Sequence, residues 1–279
     1  MRHVPIPAAM LAATLAALPA TAQEDTDLPR FASEEPPIYA LFEAAGIYER
    51  VEWFWLGELR NAERRATSYL GAKPDPEWAG EVERIFETER LVAAFEDAFD
   101  TDALSADEIA ELETFYRSGI GQQVREGEIA MLRDSYRTGD GGDWDAALEE
   151  ASAGPAPWFD QLSDALRASG RIDLQTTYRL NAEIAFNQGL ADAGGEAGAS
   201  YITDALEAVG DREAQFEAFL GTQILTLREL DDAEMSALLR DPAITLRDRL
   251  TNATYFAHSR VNEEVLHDLA GITVAAAAR

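Results

Sequence analysis

The stretch Ile47–Leu70, IYERVEWFWLGELRNAERRATSYL, sets the fold class. Its apolar residues Ile47, Val51, Phe54, Trp55, Leu59, Ala62, Ala66 and Tyr69 recur every three or four positions, the period of an α-helix. The stretch therefore predicts one long helix, which Gly71, Pro74 and Pro76 bring to an end. Trp53 and Leu56 point away from the stripe, so much of the circumference is apolar. Two readings follow. The helix is surrounded by others, or Trp53 belongs to an exposed aromatic patch for a partner, peptide or glycan.

The same period continues outward in both directions. Upstream, Pro37 opens a short helix over residues 38–46. Downstream, Val82, Ile85, Phe86, Leu91, Phe95 and Phe99 predict a helix from Trp78 to Phe99. Ser105 and Glu108 form a capping box, in which the serine oxygen accepts a backbone N–H and the glutamate reaches back to the serine N–H. Ile109, Leu112, Phe115 and Tyr116 follow on the face that should be buried. Ser118 through Gly121 predict a turn or a tight helix–helix contact. Helices are expected at 122–136 and 143–151, then at 158–169, 171–190, 198–209, 212–228, 232–240 and 243–270. Thr138–Gly142 and Gly154–Pro157 read as loops, and the alanine-rich tail 274–279 as a frayed end. Alternating β-type runs are nearly absent. The fold class is all-α, an antiparallel multi-helix bundle or array.

Two features recur in order. Asn61-Ala62-Glu63 returns as Asn181-Ala182-Glu183. The capping box at Ser105 and Glu108 returns as Asp231 and Glu234. Either the chain holds two diverged helical halves, 38–152 and 153–273, or short matches coincide by chance. With two halves, a cleft between them is the default ligand site.

Leu104–Gly121, LSADEIAELETFYRSGIG, resembles the pattern L-S-x-x-E-[IL]-x-x-L-x-x-F-[YF]-x-[ST]-x-x-G. That pattern marks a family of exported proteobacterial helical proteins known as a domain of unknown function. The likeness spans roughly residues 80–136, and the second half departs from it at Leu239-Arg240 and Asp241-Pro242. It implies an exported helical protein and brings no activity with it. Each signature residue also has a structural reading: Tyr116 packs with its hydroxyl on a neighbouring backbone group, and Gly121 lets two helices approach. Tyr116 and Ser118 are binding candidates beside that structural reading.

The N-terminus carries Arg2, an uncharged run from Ile6 to Leu18, and Ala20-Thr21-Ala22. This order predicts a signal peptide over 1–22, cleaved after Ala22, with a flexible acidic leader at 23–37. The apolar run is short for a bilayer crossing, and no stable membrane insertion is expected after cleavage. The expected location is periplasmic or extracellular. With no cysteine there is no disulfide, thiolate nucleophile or lipid-anchor cysteine. The formal net charge is −29. Such a field disfavours nucleic acid and anionic lipid, and is compatible with cationic peptides, polyamines or divalent cations. Lys73 is the sole lysine, and the arginines in place of further lysines read as coding bias.

Catalytic patterns are missing. Beyond the leader the histidines are His258 and His267, nine apart and in no H-E-x-x-H array. Serine-elbow, P-loop and dinucleotide patterns are absent. Asp100-x-Asp102 with Glu111 only faintly resembles a calcium loop and lacks its central glycine. Asn252-Ala253-Thr254 matches a glycosylation acceptor incidentally. Among 52 acidic residues, no carboxylate pair stands out as a glycosidase pair. The expectation is a non-enzymatic binding or interaction protein without cofactor or metal, whose partner is a protein, peptide or small ligand. The rival is a carboxylate-dependent hydrolase of envelope polysaccharide.

Overall fold

The computed structural model describes residues 37–138, 143–154, 156–195 and 212–279. The expected signal segment, almost all of the leader, the 139–142 loop and the helix expected at 198–209 lie outside the described residues. Within them the chain is all-α, and no β-strand occurs among the described residues.

The first half opens with α1 (Pro37–Ala44) and α2 (Ile47–Leu70), the helix whose period decided the fold class. Next come α3 (Pro76–Ile85) and α4 (Thr88–Ala98). One helix was expected over Trp78–Phe99, but the backbone turns extended at Glu87. On a continuous helix, Phe86 and Leu91 would point about 140° apart. The break lets Val82 and Phe86 on one side and Leu91 and Phe95 on the other all reach the core. Asp75 caps α3, accepting the Trp78 N–H at 2.7 Å.

The capping box forms as read, opening α5 (Ala106–Arg117). The helix α6 (Gly119–Thr138) follows almost without a linker. It starts three residues earlier than expected because Ser118 Oγ accepts the Gly121 N–H at 3.1 Å. Gly121 is needed at this turn: a Cβ there would lie 1.9 Å from the Phe115 carbonyl oxygen. After α7 (Trp144–Ala153), the second half comprises α8 (Phe159–Ala168), α9 (Arg171–Asp192), α10 (Arg212–Thr226), α11 (Asp232–Leu238) and α12 (Ala243–Ala277). Asp231 and Glu234 form a second capping box at α11.

The organising element is α12, 35 residues and therefore ~50 Å long. The sequence offered α2 as the surrounded helix, yet α2 buries a single stripe, with Val51, Trp55, Glu58, Ala62 and Ala66. It is α12 that is wrapped, with α9 along its length and α2, α3, α4 and α5 around it. Gly189 permits that close approach, since a Cβ there would stand 2.4 Å from the His267 carbonyl oxygen. The helix also runs through the tail expected to fray. Thr273 is fully buried and accepts the Trp78 indole N–H at 3.1 Å, and Arg279 pairs with Asp75 and Glu77.

Candidate ligand-binding cleft

A cleft of about 380 Å³ opens where α2 and α6 of the first half meet α9, α10 and α12 of the second. Its walls follow from helical spacing. On α9, Arg171, Gln175 and Arg179 stand one turn apart on one face. On α10, Gln215, Phe219, Thr222 and Thr226 form the facing stripe. Met131, Leu132 and Ser135 of α6 and Thr251 and Tyr255 of α12 close the sides. Thr176 donates to Gln215 at 3.3 Å, and Gln175 to the Tyr255 hydroxyl at 3.4 Å, so the walls brace one another.

The charges on the cleft oppose those of the chain. Among the described residues Arg50, Arg171 and Arg179 line it, against the single lining carboxylate Glu128. Arg50 Nη1 donates to Glu128 at 2.8 Å, and Arg247 Nη2 donates to the other Glu128 oxygen at 3.1 Å. Burial alone would raise the Glu128 carboxyl; the guanidiniums of Arg50 and Arg247 outweigh it and hold the group below the ordinary carboxylate range. Arg171 Nη2 donates to Asp248 at 2.5 Å and reaches Thr251 Oγ1 at 3.4 Å. Arg171 is only 8% exposed, and its Nε has no partner. Arg179 is exposed and bonds to no group among the described residues.

The three residues singled out in the sequence all lie outside this cleft. Trp53 is half-buried, packed on the Tyr136 ring at 5.6 Å, with Arg60 over the same ring at 4.5 Å. It is therefore neither a core residue nor a free patch. Ser118 is exposed and caps α6. Tyr116 is buried, with the Arg247 guanidinium beside it. Tyr116 thus stands behind the cleft, supporting an arginine that holds Glu128. Arg50, Glu128, Arg171 and Arg179 went unread because arginine usage looked like coding bias. The available signal was spacing: Arg171 follows Arg50, and Asp248 follows Glu128, at roughly 120 residues, the offset of the recurring Asn-Ala-Glu.

Other ionisable groups are held by the fold. Glu58 lies in the buried stripe of α2. Burial pushes its carboxyl up, while Arg65, which also bonds Glu183 at 2.7 Å, opposes the shift. That Arg65–Glu183 pair joins α2 to α9 beside the recurring Asn-Ala-Glu triplets. Burial likewise drives the Tyr178 hydroxyl above its ordinary range. His258 is enclosed by Phe54, Trp55 and Phe95 at ring separations of 4.5, 5.8 and 4.9 Å. Burial, and secondarily Arg50, lowers its pKa to about 3, so it stays neutral at physiological pH. His267 pairs with Asp192 at 3.0 Å.

Among the described residues no group of three or more His, Cys, Asp or Glu is placed to hold a metal ion. The faint calcium-like stretch is a turn, in which Asp100 Oδ1 accepts the Asp102 N–H at 3.1 Å. No helix among the described residues is long and apolar enough to cross a membrane. Compared with family models, with curated proteins and with solved structures, the chain has no match.

Proposed function

We propose that this chain is an exported binding protein that holds a ligand in the cleft between its two helical halves. The observation that carries the proposal is the cleft itself. It is large enough for a small molecule, built by five helices, and lined by side chains with hydrogen-bonding capacity to spare. Export is supported by the signal-type order of residues 1–22 and by the resemblance of Leu104–Gly121 to an exported family. Two halves of common design are supported by more than the repeated triplet. Gly46 and Gly170, both left-handed, precede α2 and α9, and capping boxes open both α5 and α11.

The hydrolase reading has less support. Glycosidase chemistry uses two carboxyl groups, one of them kept protonated as an acid. Among the described residues the cleft offers Glu128 as its one carboxylate, and its two arginines favour the ionised form.

The test is native capture. The chain is purified from its own envelope fraction, and small molecules released on denaturation are identified by mass spectrometry. Thr222→Trp fills the cleft between α10 and α9. A stoichiometric compound in the wild type that is lost from a folded Thr222→Trp protein supports the proposal. The same compound retained at the same level in Thr222→Trp overturns it.

A further inference from the structure

The net charge of −29 argues for a cationic ligand, and the cleft argues the reverse. Its lining carries Arg50, Arg171 and Arg179 against Glu128. Behind that lining Arg247 and Asp248 offset each other, which leaves an excess of two positive charges among the described residues.

The arginines are also not spent equally. Arg50 is committed to Glu128. Arg171 is committed to Asp248 through Nη2, and like Arg50 it keeps a buried Nε without a partner among the described residues. Arg179, two turns along the same face, bonds to nothing among the described residues. A guanidinium is a planar fork of donors that fits the oxygens of a carboxylate or a phosphate. Across from these arginines the α10 stripe is mostly polar, with Gln215, Thr222 and Thr226, but Phe219 in it, together with Met131 and Leu132 of the α6 side wall, supplies an apolar patch. The cleft thus sets arginine donors across from an apolar patch at Phe219 over a space of molecular size.

We infer that the cleft takes a small organic anion, its carboxylate or phosphate held between Arg171 and Arg179 and its apolar body against Phe219. This inference rests on the cleft being the ligand site. A polyamine or cationic peptide, which the overall charge would attract, meets three guanidiniums there and is rejected. Neutral molecules leave the Arg171 and Arg179 donors unanswered, which is a discriminating cost.

Four probes of one size test it on the full chain by isothermal titration: benzoate, phenyl phosphate, benzamide and benzylamine. Saturable binding of benzoate or phenyl phosphate, with benzamide at least ~10-fold weaker and benzylamine silent, supports the inference. Whichever anion binds more tightly identifies the head group. Arg179→Gln should weaken the anion at least ~10-fold. The residue is exposed and bonds to nothing among the described residues, so folding should be unaffected. Arg212→Gln, which removes an exposed pair with Asp173 outside the cleft, should leave affinity unchanged. Equal binding of benzamide, preference for benzylamine, or binding of none of the four overturns the inference. The cleft reading fails separately, when Thr222→Trp leaves native capture untouched.

Discussion

Replacing His258 with leucine separates one titration from everything else that changes with pH. The imidazole is boxed by Phe54, Trp55 and Phe95 and is held to a pKa of about 3, against an ordinary value of 6.5. The folded value is depressed, so the unfolded chain binds the proton first as pH falls. The resulting stability is fully present above about pH 6.5 and is lost progressively toward pH 3. At ~1.4 kcal/mol per pH unit, the loss from this residue between pH 7.5 and pH 4 is about 3 kcal/mol. Leucine fills a similar volume and carries no charge, so His258→Leu should lack this slope. Carboxylates held below their ordinary range, such as Glu128 and Asp192, contribute equally to both proteins and cancel in the difference. Urea unfolding followed by tryptophan fluorescence at several pH values measures it. The stability of the variant relative to wild type should rise by about 3 kcal/mol from pH 7.5 to pH 4. Parallel curves would mean that His258 accepts a proton in the folded protein, and the buried-box argument would be wrong.

Three further outcomes follow from the geometry. Glu128→Gln leaves Arg50 and Arg247 without their shared counter-charge and should destabilise the fold by ~3–5 kcal/mol in urea titration; a change under 1 kcal/mol would show that water already satisfies the two arginines. Gly121→Ala drives a Cβ to 1.9 Å from the Phe115 carbonyl, so the α5–α6 turn must open at a cost of about 2–3 kcal/mol, whereas a neutral result in thermal denaturation would show that the turn relaxes freely. Trp53→Ala loses only the half-buried contact with Tyr136 and should cost about 1–2 kcal/mol, below the ~3–5 expected of a core tryptophan. It should also leave titration of the cleft unchanged, and a loss of binding would place Trp53 in the site after all.

Helix identity was legible in the sequence wherever a periodic apolar stripe ran between clear stops. Ile47–Leu70 folds as read because its stripe is continuous and Gly71 closes it. Both capping boxes were legible because their hydrogen bonds span only three residues. Boundaries failed where tertiary packing decided them. Nothing local in Trp78–Phe99 announces the break at Glu87, which exists because two apolar stripes must turn toward one core. The tail 274–279 looked unanchored, although its neighbour Thr273 meets Trp78 from the far end of the chain.

The sequence by itself determined the all-α class, the caps, the small residues that let helices approach, and a charge that turns most anionic surfaces away. Those properties depend on composition or on residues within one or two turns. The tertiary structure alone decided where the arginines went. Arg50 meets Glu128 across 78 positions and Arg171 meets Asp248 across 77, and only the packing of α2 and α6 against α9, α10 and α12 brings these pairs to one cleft. A side chain's local period states which face it occupies, not which distant helix will face it. For that reason no count of residues discloses that these arginines line one cleft of an acidic chain.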